Sequence, residues 1–149
     1  GDGQELPRLK NLACELGIEG DVTFHGRKSQ AECARQISKS DALVLPSLHE
    51  CGGAVVLEAM AMGKAVIATN WGGPADYLDD TCGILVNPSG RQELIHGFAE
   101  AMSKLTNEPS LKDSLGKAGK EKVRVYFHWP NKIKRMLKVY ALAIASNNK

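Results

Sequence analysis

The chain has 149 residues, 43% of them hydrophobic, which is enough for one folded domain with its own core. Its 19 basic and 17 acidic residues leave a net charge of +2, too balanced to argue for a nucleic-acid partner or, by itself, for a membrane surface. Four cysteines at 14, 33, 51 and 82 form no CxxC pair, and no histidine stands at zinc-ligand spacing, so free thiols in a reducing compartment are expected. Neither a membrane span nor a signal peptide is readable, which points to the cytoplasm. Gly1-Asp2-Gly3 is a turn-forming tripeptide that normally follows an element, so the chain reads as a piece of a longer polypeptide.

In chain order, residues 5–16 place Leu6, Leu9, Leu12, Ala13 and Leu16 on one face of a covering helix that Gly17 stops. Residues 22–25 are a short β-type run closed by Gly26. Residues 29–38 read as a helix capped by Ser29, with Ala31, Ala34 and Ile37 inward. A strand at 42–45, a helix at 53–62, a strand at 65–69, a turn-rich bend at Gly72-Gly73-Pro74 and a strand at 83–86 follow. Strands that are apolar at consecutive positions are buried on both faces, and their alternation with helices predicts an α/β, Rossmann-like, doubly wound parallel sheet.

After Asn87 the pattern is helical. Ser89 with Gln92 forms a capping box, and Leu94, Ile95, Phe98, Ala99, Met102 and Leu105 follow at helical spacing. Residues 107–110 interrupt, a second helix runs from Leu111 toward Phe127, and Pro130 suits the first turn of a third. That helix carries Trp129, Ile133, Met136, Leu137, Tyr140, Ala141 and Ile144 on one face, and residues 146–149 read as frayed. Lys132, Lys134, Arg135 and Lys138 flank the stripe. Packing on protein accounts for such a helix better than contact with an anionic membrane surface.

The stretch 41–76 holds the candidate chemistry. Ligands of parallel α/β sheets sit beyond the carboxyl ends of the strands, where a loop enters the next helix, and residues 47–53 form such a loop. Gly52 and Gly53 let backbone approach a ligand closely, and the amides of Gly53, Ala54 and Val55 at the helix start attract an anion such as phosphate. Glu58 lies five residues on, about 7.5 Å along a helix, on the side of Ala54 and Val55. An ionised carboxylate only accepts hydrogen bonds, so Glu58 suits a ribose diol and Glu50 a second polyol. Phosphate flanked by two polyols describes a nucleoside diphosphate sugar. By default, a glutamate on a helix is a solvated surface residue, and this spacing alone does not overturn that.

Pro46-Ser47, Glu50, seven residues, Glu58-Ala59-Met60-Ala61, Gly63-Lys64, Val66-Ile67-Ala68 and Gly72-Gly73 together resemble the retaining GT-B glycosyltransferases with the E-x7-E motif. The likeness extends to Gly1-Asp2-Gly3, Leu16-Gly17-Ile18, Val22-x-Phe24-x-Gly26, Gly83-Ile84-Leu85-Val86 and Phe127-x-Trp129. The resemblance implies that residues 1–149 are the C-terminal, donor-binding half of such an enzyme, with 129–146 as its closing helix. It implies transfer of a hexose from a nucleoside diphosphate sugar to an acceptor hydroxyl, without metal or cofactor. Glu50 would be the catalytic-site carboxylate on the donor sugar and Glu58 the ribose ligand. Gly52, Gly53, Ala54 and Val55 would complete the donor site. Read from their positions alone, His49 beside Glu50 is either a ligand contact or a polar loop residue, and His25, Gly26 and Arg27, which end a run on the expected ligand side, either meet the base or simply cap a strand.

Departures are present too. The family's usual glycine and aromatic after the first glutamate are Cys51 and Gly52, the usual proline after Gly63-Lys64 is Ala65, and the acid after the double glycine is Asp76. The family's first strand and helix, with their phosphate-neutralising Arg and Lys, would precede Gly1, as would an acceptor-binding N-terminal domain. The chain alone is therefore expected to be inactive. The alternative is a non-catalytic module that binds a nucleotide or sugar phosphate. A dinucleotide oxidoreductase is disfavoured because no GxGxxG joins a strand to a helix. Cys51 lacks an evident base and reads as a bystander, and His96 and His128 read as solvated.

Overall fold

The computed structural model describes residues 2–147, and of Asn147 only the backbone. Gly1 of the opening tripeptide, and Asn148 and Lys149 of the expected frayed end, lie outside the described residues. The chain divides into two compact units, Gly1–Gln36 and Ile37–Lys149.

In the first unit, α1 (Leu6–Glu15) starts with proline in its first turn and ends at Gly17. Gly17 takes a left-handed φ of 66°, its amide donates to the Cys14 carbonyl, and the Ile18 amide donates to Ala13. This double closure is the Schellman motif, which requires the positive φ that glycine adopts without strain. Of the expected stripe Ala13 is buried, whereas Leu9, Leu12 and Leu16 are exposed. Residues 22–25 are irregular instead of a strand. A strand exists only as half of a hydrogen-bonded ladder, and none of the described residues pairs with this run. The next helix, α2 (Gln30–Lys39), opens with a capping box: the Ser29 hydroxyl accepts from the Glu32 amide at 3.3 Å, and the Ser29 amide donates to the Glu32 carboxylate at 2.9 Å. Ala31, expected inward, is exposed.

The second unit holds a three-stranded parallel sheet in the order β1 (Ala42–Leu45), β2 (Ala65–Thr69), β3 (Ile84–Val86). Register runs Ala42 opposite Ala65, Ile67 opposite Ile84 and Thr69 opposite Val86. Helix α3 (Ala54–Ala61) joins β1 to β2, and α4 (Gly72–Tyr77) lies between β2 and β3. Then come α5 (Arg91–Asn107), α6 (Pro109–Lys122), one wide π-helical turn (Val123–Phe127) and α7 (Trp129–Asn147).

Alternation along β2 builds two cores. Val66 and Ala68 pack with Val56, Ala59 and Met60 of α3 and with Leu78 and Cys82, while Ala65 and Ile67 face Phe98, Ala101 and Leu105 of α5 and Leu115 of α6. Helices thus cover both faces, as a doubly wound sheet requires. Every residue of β2 is buried, but β1 and β3 are edges of this sheet, so the expected two-sided burial holds only for the central strand. Close helix–sheet approach depends on glycine. A Cβ on Gly97 would meet Val86 Cγ1 at 2.6 Å, and one on Gly116 would meet the Gly63 carbonyl at 2.2 Å.

Several expectations in this unit are corrected. The Gly72-Gly73-Pro74 bend is the start of α4, because proline is tolerated in a helix's first turn. Ser89 does not cap α5. The N-cap is Gly90, with extended backbone and no side-chain cap, and the Glu93 carboxylate lies over Gly90, 2.3 Å from where a Cβ would stand. Ile95 and Met102, placed on the inward stripe, are exposed. The second tail helix ends at Lys122 and continues as the wide turn, while α7 remains helical through Ser146 to Asn147. The stripe of α7 lies open to solvent, with Trp129 at 77% exposure. No helix among the described residues is long and apolar enough to cross a membrane.

Candidate functional site

The loop from β1 to α3 is fixed by one carboxylate and two glycine pairs. Glu50 Oε1 accepts the Gly53 amide at 2.8 Å, which satisfies the first donor of the helix entry. Gly53 is the N-cap of α3, left-handed at φ 57°, and its open backbone lies against the Pro74 ring, 3.1 Å from a would-be Cβ. The opposing turn sits harder still. A Cβ on Gly72 would come within 2.1 Å of the Glu50 carbonyl oxygen, and one on Gly73 within 2.4 Å of the Gly52 carbonyl. Residues 50–53 and 72–74 therefore interlock backbone to backbone, and side chains are excluded from the seam.

Beyond this seam, the amides of Ala54 and Val55 have no acceptor within α3, as the first turn of any helix dictates. Ala54 is exposed, Val55 half-buried, and Glu58 half-buried one turn further along the same face. Gly52 is exposed with nothing within 4 Å of a would-be Cβ, and His49 is exposed beside Glu50. At the carboxyl ends of β2 and β3 the Asn70 amide donates to the Val86 carbonyl, and Asn70 Nδ2 donates to Asn87 Oδ1 at 2.7 Å. The connection from β1 and the helix it enters thus carry Glu50, Gly52, Gly53, Ala54, Val55 and Glu58 beyond the carboxyl end of β1, with His49 beside Glu50 in the chain.

A family model described as glycosyl transferases group 1 matches residues 1–122. The chain belongs to this family. It is 35% identical over 121 residues to the lipopolysaccharide core biosynthesis glycosyltransferase LpsE of Rhizobium meliloti (strain 1021), covering 81% of this chain and 34% of that protein. Among solved structures it superimposes on sucrose-phosphate synthase from Thermosynechococcus elongatus with a TM-score of 0.80 at 31% identity, over 98% of this chain and 36% of that one. The C-terminal domain of a glycosyl transferase group 1 protein, LpcC of Francisella tularensis, matches with a TM-score of 0.73 at 26% identity, over 85% of this chain and 65% of that one. The fold is that of a GT-B C-terminal domain. The chain spans about a third of the length of the curated relatives it matches.

Of the residues assigned to the base in this group 1 chain, His25 and Arg27 are exposed in the first unit, and Gly26 is left-handed at φ 65°. Cys51 is an exposed free thiol. Buried Cys82 has its thiol pushed up by burial and lies in a separate lock, where Lys122 Nζ donates to Asp79 Oδ2 at 2.5 Å. That lysine, helped by Thr81, holds the Asp79 carboxyl far below the usual carboxylate range. Sequence reasoning missed the interlocked glycine pairs. Their signal was a Gly-Gly before a helix matched by a Gly-Gly-Pro after the next strand. It also missed the open apolar groove of about 870 Å³ beside Ala54, lined by Leu57, Tyr77, Phe127, Trp129 and Ile133.

Proposed function

We propose that this chain is the donor-binding part of a retaining glycosyltransferase that takes a hexose from a nucleoside diphosphate sugar. The observation that carries the reading is the entry of α3: a glutamate-tied loop, two amides without helical acceptors at Ala54 and Val55, and Glu58 one turn beyond on the same face. The amides suit the diphosphate, because donors at a helix start attract anions without needing a charged side chain. Glu58 takes the ribose hydroxyls. Glu50 spends one carboxylate oxygen on the Gly53 amide and offers the other to hydroxyls of the sugar. The two glutamates thus act as the ends of an E-x7-E motif, and His49 flanks the sugar end.

In the reaction the bond from the anomeric carbon to the diphosphate oxygen breaks, and an acceptor hydroxyl attacks the same face. Its proton passes to the departing phosphate oxygen, so the protein's work is to position groups and stabilise charge. No metal ligand set is required by this scheme. The acceptor is bound by a further α/β domain of the parent polypeptide, on which α7 closes with its open apolar stripe. The 149 residues alone therefore bind donor without turning it over, in the cytoplasm where nucleotide sugars are made.

A thermal-shift panel of UDP, GDP and ADP sugars tests the site. The expected result is that one base family raises the melting temperature and that Glu58→Ala removes the shift without lowering the melting temperature of the free protein by more than about 2 °C. A Glu58→Ala protein that keeps the full shift refutes the assignment.

A further inference from the structure

We propose that Trp71 is the aromatic wall of the sugar pocket, its indole stacking on the apolar face of the donor's pyranose ring and so contributing to the choice of sugar. The inference rests on the reading of the Glu50 loop as the sugar end of the donor site, and adds a residue that neither the motif spacing nor the family match assigns.

Trp71 follows the carboxyl end of the central strand, on the side of the sheet where ligands bind. Its backbone is extended (φ −157°, ψ 141°) and held on both sides. Before it, the Asn70 amide is tied to Val86 and the Asn70 side chain to Asn87, and the Trp71 amide itself donates to the Thr69 carbonyl at 2.8 Å. After it, Gly72 is locked against the Glu50 carbonyl so tightly that a Cβ would stand 2.1 Å from the oxygen. Adding the Cα–Cβ bond and one Cα–Cα step of 3.8 Å puts the Trp71 Cα within about 7.5 Å of the Glu50 carbonyl oxygen.

The ring on this fixed backbone remains 56% exposed. One exposed apolar residue needs no explanation in general. Here, however, the widest aromatic surface in the protein's repertoire stands on a backbone tied at both neighbours, its Cα within about 7.5 Å of the backbone carbonyl of Glu50, the residue whose carboxylate ties the site loop. Next to that carboxylate, Gly52 contributes no side chain and has open space where a Cβ would be. A pyranose has hydroxyl groups around its edge and carbon-bound hydrogens on its faces. A carboxylate at the edge and an indole on the face match both chemistries, and the indole loses little conformational freedom on binding because two torsions fix it.

The experiment compares UDP with UDP-glucose by calorimetric titration of the 149-residue protein, its Trp71→Ala and Trp71→Phe variants, and Glu58→Ala, with GDP and ADP pairs run alongside. The measured quantity is the ratio of the two dissociation constants, bare nucleotide over nucleotide sugar. Trp71→Ala should lower that ratio about threefold to tenfold while leaving nucleotide affinity within about twofold, and Trp71→Phe should restore most of it. In a Trp129→Phe background, where Trp71 is the sole tryptophan, the sugar nucleotide should shift its emission and the bare nucleotide should not. An unchanged ratio in Trp71→Ala, or an equal loss for both ligands, overturns the role of Trp71 while leaving the donor site in place. Nucleotide binding that ignores Glu58→Ala, or wild-type protein that binds none of the three pairs, overturns the donor-site reading and this inference with it.

Discussion

Replacing Gly72 by alanine isolates the interlock that shapes the site. Two costs add at this position. The left-handed φ of 58° costs an L-residue about 1–2 kcal/mol, and the new methyl, 2.1 Å from the Glu50 carbonyl oxygen, forces a backbone shift worth about 1–3 kcal/mol more. Gly63→Ala is the matched control. Its φ is 72°, but a Cβ there meets nothing nearer than Lys120 Cδ at 3.7 Å, so it carries the conformational cost alone. At about 2–4 °C per kcal/mol for a chain of this size, Gly72→Ala should melt about 4–20 °C below wild type and Gly63→Ala about 2–8 °C below. Circular dichroism melts at matched concentration measure both. Gly72→Ala should also weaken nucleotide-sugar binding, because relief of the clash moves the Glu50 loop, whereas Gly63→Ala should not. Equal melting losses, or a Gly72→Ala protein that binds donor as wild type does, refute the claim that the seam is rigid.

Two further outcomes follow from the packing. Ile67→Ala, at a fully buried position of β2, should cost about 2–5 kcal/mol in urea denaturation, while Ile144→Ala on the open stripe of α7 should stay within about 0.5 kcal/mol; a comparable cost would mean that α7 is packed in solution. Asp79 provides a pH signature. Its folded-state pKa is depressed by Lys122, so the lock's contribution is present above the unfolded value of about 3.9 and is lost as pH falls through and below it. Lys122→Met should therefore destabilise by about 1 kcal/mol or less at neutral pH, since the carboxylate is half exposed to screening solvent, and the gap from wild type should narrow below about pH 4. A wild-type Asp79 carboxyl that titrates at the unfolded value of about 3.9, followed by NMR, would sink the pairing.

What the sequence made legible was local or periodic. The runs at 42–45 and 65–69 became parallel neighbours, Gly17 and Ser29 terminate their helices as their chemistry requires, and the glutamates of 50–58 fall on one helix entry. What stayed hidden depends on a partner far along the chain. Residues 22–25 have strand chemistry but no ladder, the helix cap falls on Gly90 with the Glu93 carboxylate over it instead of on Ser89, and Val44 is apolar yet lies on an edge. The seam shows the same limit most sharply. Gly52-Gly53 and Gly72-Gly73 each read as generic flexibility, and only together do they show its opposite, two backbones brought so close that no side chain fits between them. Rigidity at this point has a functional logic. On the proposed reading, the Glu50 carboxylate gains selectivity for sugar hydroxyls only if its loop cannot drift with the ligand, since preorganised groups lose little entropy on binding and discriminate by geometry. The glycines therefore act as fixtures. The backbone of Trp71, next to the tightest of them, is held by its neighbours on both sides.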